Sequence, residues 1–266
     1  MHLKNRNHLF SQVLFGLAQN PTFRRAARYP MTHGPMWLRE AVAIQKRKHK
    51  RLAYAMVPTK RLRATYRSGL NCLIEKVGRD GVGDYLEFGV HSCSSLLGMY
   101  RELQNFGLTH VRLFGFDSFE GLPVSAEPDD ATWAPGAYRS EYEFALQVLR
   151  DERVDPARVL LTRGWFSETL TPEFRVRNGL SKASVIMVDC DQYLGAKQAL
   201  MFCAPLIKDH ALVLFDDWNS GNLAARDLGE KRAFAEFLSA GEFTVERCES
   251  YTGNAAVFFV SRCRMA

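Results

Sequence analysis

Four carboxylates follow two apolar runs in the second half of the chain and could meet in space. They are Asp189, Asp191, Asp216 and Asp217. Crowded carboxylates repel one another, and burial adds a desolvation cost. A hard divalent cation such as Mg²⁺ resolves this repulsion because it prefers oxygen ligands. Each acid alone could cap a helix or close a turn. Together they favour a metal site, and the lack of a Cys/His cluster argues against zinc.

A second set of residues has the chemistry of a nucleoside site. Gly89 follows an apolar run, where a glycine lets backbone approach a ligand and the next helix offers free N–H groups. Asp117 ends the following run, thirty residues after Glu87, where an acid can accept both hydroxyls of a ribose. Trp165 and Phe166 follow a third run and could hold an adenine. The plain alternatives are a structural turn at Gly89 and a helix cap at Asp117.

The elements that must position these residues alternate between apolar runs and helical patterns after residue 80. We predict strands at Asp84–Val90, Val111–Phe116, Arg158–Thr162, Ser184–Val188, Ala211–Phe215, Phe243–Arg247 and Ala255–Val260. We predict helices at Ser94–Asn105, Tyr138–Leu149, Gly195–Ala204 and Leu228–Ser239. Apolar strands joined by helices indicate a parallel sheet covered on both faces, and the last two strands indicate an antiparallel edge hairpin. Ligands of such sheets bind at the carboxyl ends of the strands.

Five segments resemble a known family in their order along the chain. They are YLEFGVHSCSSL, GFDSFEGLP (Gly115–Pro123), GWFSETL (Gly164–Leu170), VDCDQY (Val188–Tyr193) and FDDW (Phe215–Trp218). Over about Tyr54 to Val260 the chain resembles the macrocin O-methyltransferase (TylF-type) family of class I S-adenosylmethionine-dependent methyltransferases. The resemblance implies an α/β, Rossmann-like fold with a seven-stranded, mostly parallel sheet. It also implies Mg²⁺-assisted methyl transfer from S-adenosylmethionine to a hydroxyl, usually on a sugar.

The resemblance also implies roles for individual residues. Glu87 and Gly89 would line the methionine end of the cofactor, Asp117 and Ser118 would hold its ribose, and Trp165 and Phe166 would lie near its adenine. Three further residues are assigned to the cofactor site, namely Met56, Val90 and Ser94. The implied metal ligands are Asp189, Asp216 and Asp217. Asp191 would act as the general base.

The chain departs from the family pattern at two places. Cys93 stands where the family usually has a second glycine, so the close approach of backbone to the cofactor is less assured. The segment Leu194-Gly195-Ala196 replaces the usual acidic residue and its successors, which affects the expected substrate contacts. The long loop Pro123–Tyr138 is a candidate specificity element for the acceptor.

Three other functions were weighed. A metal-dependent glycosyltransferase would explain the Asp-x-Asp at Asp189, but not the Glu87 and Asp117 pair. A decayed methyltransferase fold that only binds ligands would explain Cys93, but not the intact acids. A Rossmann dehydrogenase would need a G-x-G-x-x-G motif, and Gly89 is the only glycine between Glu87 and Leu97.

Charge divides the chain into two parts. Residues 1–80 hold 17 Lys and Arg against three acids, whereas residues 81–266 hold 18 against 26. We interpret 1–80 as a basic helical extension and 81–266 as the methyltransferase domain. The basic segment 46–51 is interpreted as a solvated helix face or a protein contact, with an anionic or membrane-surface contact as the alternative.

The sequence also gives expectations about binding partners, oligomeric state and cellular location. No nucleic-acid partner is expected, because no RNP or KH signature accompanies the basic segment. A homo-oligomer is expected, because an extended N-terminal arm often docks on a neighbouring subunit. The six cysteines are scattered without a C-x-x-C pair, so reduced thiols in a cytoplasmic protein are expected. No secretory signal and no transmembrane helix are expected either.

Overall fold

The computed structural model describes residues 35–53, 59–125, 127 and 133–263. The chain divides into two compact units, Met1–Ala53 and Tyr54–Ala266. Within the first unit, helix α1 spans Met36–Ala53 and its described side chains are mostly exposed. Among the described residues, no helix combines the length and the hydrophobicity needed to cross a bilayer.

The second unit is built on one seven-stranded sheet. Its strands are β1 (Asp84–Phe88), β2 (Leu113–Asp117), β3 (Val159–Arg163), β4 (Ala183–Val188), β5 (His210–Phe215), β6 (Phe243–Cys248) and β7 (Ala256–Arg262). The spatial order is β3-β2-β1-β4-β5-β7-β6. Strands β1 to β5 pair in parallel, and β7 pairs antiparallel with both β5 and β6. The predicted parallel sheet with an antiparallel edge hairpin is confirmed.

Helices cover the two faces of this sheet. They are α2 (Thr59–Val77), α3 (Ser94–Asn105), α4 (Tyr142–Asp151), α5 (Phe166–Thr169), α6 (Pro172–Arg177), α7 (Tyr193–Cys203) and α8 (Glu230–Ser239). Short 3₁₀ turns lie at Ala204–Leu206, Ser220–Asn222 and Ala224–Arg226. The short helices α5 and α6 were not predicted, because four to six residues carry too little periodicity to be recognised.

Helix α2 belongs to the sheet unit. Its residues Leu62, Tyr66, Leu70 and Leu73 recur at helical spacing and are all fully buried or nearly so. They pack against α3 and β5. The compact unit that contains the sheet starts at Tyr54 and includes α2. The division at residue 80 into a basic extension and a methyltransferase domain stays a prediction.

Two apolar cores lie on opposite faces of the sheet. One contains the buried faces of α2, α3 and α4. The other contains α6, α7 and α8 and is rich in phenylalanine, with Phe116 stacked on Phe88 at a ring distance of 5.3 Å. Strands β1 and β4 lie side by side at the centre, where the strand order reverses. A ligand site is expected at their carboxyl ends.

Candidate active site

A cavity of about 320 Å³ opens at the carboxyl ends of the five parallel strands. Most residues predicted from the sequence to form the site line it. They are Gly89, Val90, Ser94, Asp117, Ser118, Trp165, Phe166, Asp189, Asp191, Asp216 and Asp217. Glu87 is not among the lining residues. Met56 lies outside the residues that the structure describes.

Three of the four predicted acids meet on one side of the cavity. Asp189 follows β4, and Asp216 and Asp217 follow β5, so the parallel pairing of these strands places them together. One carboxylate oxygen from each lies within 4.8 Å of the others. We call these three residues, together with Asp191, the acidic wall.

Hydrogen bonds fix the carboxyl groups of the acidic wall. The Tyr251 hydroxyl donates to Asp216 Oδ1 at 2.6 Å, and the Ser220 hydroxyl donates to Asp217 Oδ1 at 3.0 Å. Asp191 shares a hydrogen bond with the Asp217 carboxyl. These hydrogen bonds restrict the rotation of the side chains and so keep the carboxylate oxygens in fixed positions.

The acidic wall is electrostatically strained without a cation. Burial raises the pKa of Asp189 well above its usual range, and the neighbouring acids raise it further. Burial, followed by the charges of Asp217 and Asp216, raises the pKa of Asp191 to about 8. Burial and Asp216 raise the pKa of Asp217 to about 6. No ion pair among the described residues involves these four acids.

Asp191 also has an unusual backbone conformation. Its φ is 62°, in the left-handed region that a non-glycine residue rarely adopts. The N–H of Gln192 donates to the carbonyl of Cys190 at 2.6 Å, which closes a tight turn around Asp191. Strained backbone of this kind is stored at functional sites, where the surrounding structure holds a side chain in place.

Another part of the cavity lining is the loop that follows β1. Three residues in it have positive φ, namely Gly89 at 90°, His91 at 47° and Cys93 at 62°. A Cβ on Gly89 would lie 1.6 Å from the Asp189 carbonyl oxygen, so glycine is required there by the neighbouring strand. Cys93 adopts the conformation that suits the glycine of the family pattern, and its buried side chain is accommodated in the core.

Asp117 fastens this loop to β2. Its Oδ2 accepts the backbone N–H groups of Val90 at 2.8 Å and His91 at 2.7 Å. Its Oδ1 accepts the N–H of Phe119 at 2.6 Å. Oδ1 retains acceptor capacity toward the cavity, because a carboxylate oxygen has more than one lone-pair site. Asp117 therefore organises the loop and also lines the cavity; its contact with a ribose stays a prediction.

Glu87 differs from the expectation that it lines the methionine end. It is fully buried, and its carboxyl accepts hydrogen bonds from the Ser95 hydroxyl at 2.5 Å and the Tyr85 hydroxyl at 2.6 Å. Burial raises its pKa to about 8 against the lowering effect of these donors. Strand β1 is buried along its whole length, so its sequence does not show which face each residue takes. Glu87 acts behind the loop by anchoring the start of α3.

Two further residues lie near the acids, one at the end of the loop predicted to shape the acceptor site and one that the sequence did not indicate. Tyr138 lines the cavity, and burial together with the charges of Asp191 and Asp217 raises its pKa. Glu230 is 1% exposed, and within the described part of the chain no side chain forms a hydrogen bond with its carboxyl oxygens. Burial raises the pKa of Glu230, and the charges of Asp217 and Asp216 add to that effect. A glutamate at the start of a helix is ordinarily solvent-exposed, so no signal in the sequence distinguishes Glu230.

Comparison with known proteins decides the family. A sequence model of the macrocin-O-methyltransferase (TylF) family matches residues 29–238. The chain belongs to this family. A curated relative from Streptomyces olivaceus, 8-demethyl-8-(2,3-dimethoxy-alpha-L-rhamnosyl)-tetracenomycin-C 4'-O-methyltransferase, is 29% identical over 177 residues. That match covers 63% of this chain and 63% of the relative's length.

Solved structures with the same fold are more distant in sequence. The O-methyltransferase NovP matches with a TM-score of 0.63 and 18% identity, over 77% of this chain and 80% of its own. The calicheamicin methyltransferase CalS11 matches with a TM-score of 0.59 and 21% identity, over 84% and 92%. An O-methyltransferase from Bacillus cereus in complex with SAH matches with a TM-score of 0.53 and 12% identity, over 89% and 96%. At these identities the likeness establishes the fold, and the family membership excludes the glycosyltransferase and dehydrogenase alternatives.

Proposed function

We propose that this protein transfers a methyl group from S-adenosylmethionine to a hydroxyl of a sugar-containing acceptor, with Mg²⁺ held by Asp189, Asp216 and Asp217. The observation that carries the proposal is the convergence of three carboxylate oxygens within 4.8 Å in the same cavity as the loop after β1. A donor set of acidic oxygens suits a hard divalent cation. The raised pKa values of Asp189 and Asp217 support this proposal, because a site that normally holds a cation has such values when the cation is absent.

The sugar acceptor is supported by the relatives. The tetracenomycin enzyme acts on a rhamnosyl group, and one structure of CalS11 is described as a TDP-rhamnose 3'-O-methyltransferase. The cavity agrees with such an acceptor, since it combines aromatic surface with several hydrogen-bonding side chains. We therefore propose a deoxyhexose of the rhamnose type as the acceptor sugar.

The two sides of the cavity divide the work. In this proposal Asp117 and Ser118 hold the ribose and Trp165 holds the adenine, and all three residues line the cavity. On the other side, Asp191 lies beside the three proposed metal ligands. A bound Mg²⁺ would lower the pKa of the acceptor hydroxyl and fix its position.

Asp191 is the proposed general base. Its carboxylate accepts the proton of the acceptor hydroxyl while the acceptor oxygen forms a bond to the methyl carbon and the carbon–sulfur bond breaks. The left-handed turn at Asp191 holds that carboxylate at the cavity surface. The protein thus contributes orientation before substrate binds. A cation held by the neighbouring acids would lower the pKa of Asp191, so that its carboxylate could accept the proton.

The experiment is methyl transfer from labelled S-adenosylmethionine to TDP-L-rhamnose or methyl α-L-rhamnoside. We expect Asp216→Asn combined with Asp217→Asn to reduce transfer at least about a hundredfold, because charge stabilisation at the reacting oxygen is lost. Excess EDTA should abolish the wild-type reaction. The matched control is Asp227→Asn, which removes an exposed acid from the same region and should leave transfer unchanged.

Transfer that survives in excess EDTA contradicts the metal role. Calorimetry of S-adenosylmethionine binding tests whether the fold has lost its activity. A protein that binds no S-adenosylmethionine, with or without Mg²⁺, is a decayed fold rather than an enzyme.

A further inference from the structure

The segment Trp133–Tyr138 is held over the motif that follows β2. The Leu122 N–H donates to the Ala137 carbonyl at 2.9 Å, and the Gly136 N–H donates to the Leu122 carbonyl at 2.8 Å. A Cβ on Gly121 would lie 2.5 Å from the carbonyl oxygens of both Ala137 and Gly136. Glycine in the FEGLP motif therefore lets this segment cross the turn in close contact.

This crossing sets the position of Tyr138. Its φ is 58°, a left-handed conformation that is strained for a tyrosine, so the segment holds this side chain in place despite a local cost. Tyr138 lines the cavity together with Asp191 and Asp217. It is 41% exposed, and no hydrogen bond to its hydroxyl is made by the described residues.

Trp133 packs against Tyr138 from within the same segment. Its ring meets that of Tyr138 edge to face, with 6.2 Å between the centroids. Its indole Nε1 is buried and has no hydrogen-bond partner among the residues that the structure describes, so Trp133 is enclosed beside Tyr138 rather than open to the cavity. The Tyr138 ring and hydroxyl, which line the cavity beside carboxylates, match the surface of a sugar, which presents a C–H face and an edge of hydroxyls.

We propose that Tyr138 is the acceptor-positioning residue, with its ring against the face of the acceptor pyranose and its hydroxyl bonded to the sugar hydroxyl adjacent to the one at Asp191. Trp133 supports the Tyr138 ring from behind. This inference rests on the proposed function, since it specifies how the same cavity holds its acceptor. It gives a reason for the strained backbone at Tyr138 and for the close crossing over Gly121.

The test separates acceptor binding from cofactor binding. The proteins are wild type, Tyr138→Phe, Tyr138→Leu and the control Tyr100→Phe. Tyr100 lies on α3, where its hydroxyl accepts the N–H of Asp155. Calorimetry first measures the affinity for S-adenosylhomocysteine. It then measures the affinity for TDP-L-rhamnose and methyl α-L-rhamnoside with S-adenosylhomocysteine and Mg²⁺ present.

We expect Tyr138→Phe to weaken rhamnoside binding about tenfold, the effect of one lost hydrogen bond. Tyr138→Leu should weaken it further, because the ring is lost as well. Affinity for S-adenosylhomocysteine should stay within about twofold in every variant, and Tyr100→Phe should bind both sugars like the wild type. A purely structural role for Tyr138 would instead lower cofactor affinity and thermal stability together.

Three results overturn the inference. The first is unchanged rhamnoside binding by both Tyr138 variants, and the second is an equal loss of cofactor and sugar affinity. The third is a wild-type protein that binds S-adenosylhomocysteine but neither sugar, which leaves methyl transfer to another acceptor intact as the proposed function. A protein that binds neither sugar nor S-adenosylhomocysteine contradicts the proposed function as well.

Discussion

A single buried acid, Glu102, and the acidic wall differ in whether the described residues compensate their negative charge. At the interface of α2 and α3, the side chain of Glu102 is fully buried and paired with Arg63 at 2.6 Å and Arg67 at 3.3 Å. Burial opposes ionisation of Glu102, but hydrogen bonds from Arg67, Asn105 and Arg63 outweigh it and lower the pKa. The acidic wall has no such partners among the described residues, and the pKa values of its members are raised.

The difference separates a structural acid from a functional one. The negative charge of Glu102 is compensated within the chain, because Arg63 and Arg67 are held at a fixed distance from its carboxylate. The acidic wall holds several carboxylates at the mouth of a cavity and leaves their repulsion in place. Such an arrangement costs folding free energy, and it is retained where function requires it. In the proposed function, a bound divalent cation supplies the compensating positive charge.

The largest expected effect comes from breaking the compensation at Glu102. Replacing Arg63→Met and Arg67→Met together leaves a fully buried carboxylate unpaired. We expect the free energy of unfolding at neutral pH to fall by about 3 to 5 kcal/mol, measured by urea denaturation. The control is Arg101→Met, which removes a more exposed ion pair with Glu152 and should cost less than about 1 kcal/mol. A loss below about 1 kcal/mol in the double variant would show that burial of the Glu102 carboxylate does not require its two arginine partners.

Glu87 gives an intermediate case, with hydrogen-bond donors but no cation. Its pKa is about 8 in the folded protein and ordinary in the unfolded chain, so the folded state retains the proton over a range where the unfolded state has lost it. Wild-type stability should therefore fall as pH rises from about 5 to about 8. Glu87→Gln removes this dependence, and we expect its stability relative to wild type to grow by about 3 kcal/mol over that range. A difference that stays flat with pH would contradict the raised pKa.

The smallest expected effect tests the acidic wall itself. In EDTA at about pH 8, Asp217→Asn should raise the free energy of unfolding by about 1 kcal/mol, because it removes repulsion among the buried acids. Asp227→Asn is again the control, since Asp227 is exposed and paired with Lys231. If Asp217→Asn destabilises the protein in EDTA, the acidic wall is not under repulsion, and the contrast with Glu102 disappears.

The sequence predicted the architecture well, because apolar runs and helical patterns alternate clearly. The central strand β1 and the helix Ser94–Asn105 follow directly from that periodicity. The convergence of Asp189 with Asp216 and Asp217 followed from one rule, that parallel strands end at the same edge. The roles of the individual residues stay predictions.

The remaining features depend on information that spacing does not carry. Glu87 lies in a strand buried on both faces, so alternation could not give its direction. The sequence predicts a helix from Tyr138, whereas the helix begins at Tyr142, and the place of Tyr138 is set by a backbone crossing over Gly121. Glu230 begins a helix whose first residues are charged, and only packing shows that its carboxyl is enclosed.

The most direct test of the account is the binding of Mn²⁺, which accepts the same oxygen ligands as Mg²⁺ and is detected by electron paramagnetic resonance. Titration of the wild-type protein with S-adenosylhomocysteine present should show one bound Mn²⁺ per chain, displaced by excess Mg²⁺. Asp216→Asn combined with Asp217→Asn should abolish that binding, whereas Asp227→Asn should retain it. Equal Mn²⁺ binding by the wild type and the double variant, or none by either, would contradict the claim that the acidic wall is completed by a cation.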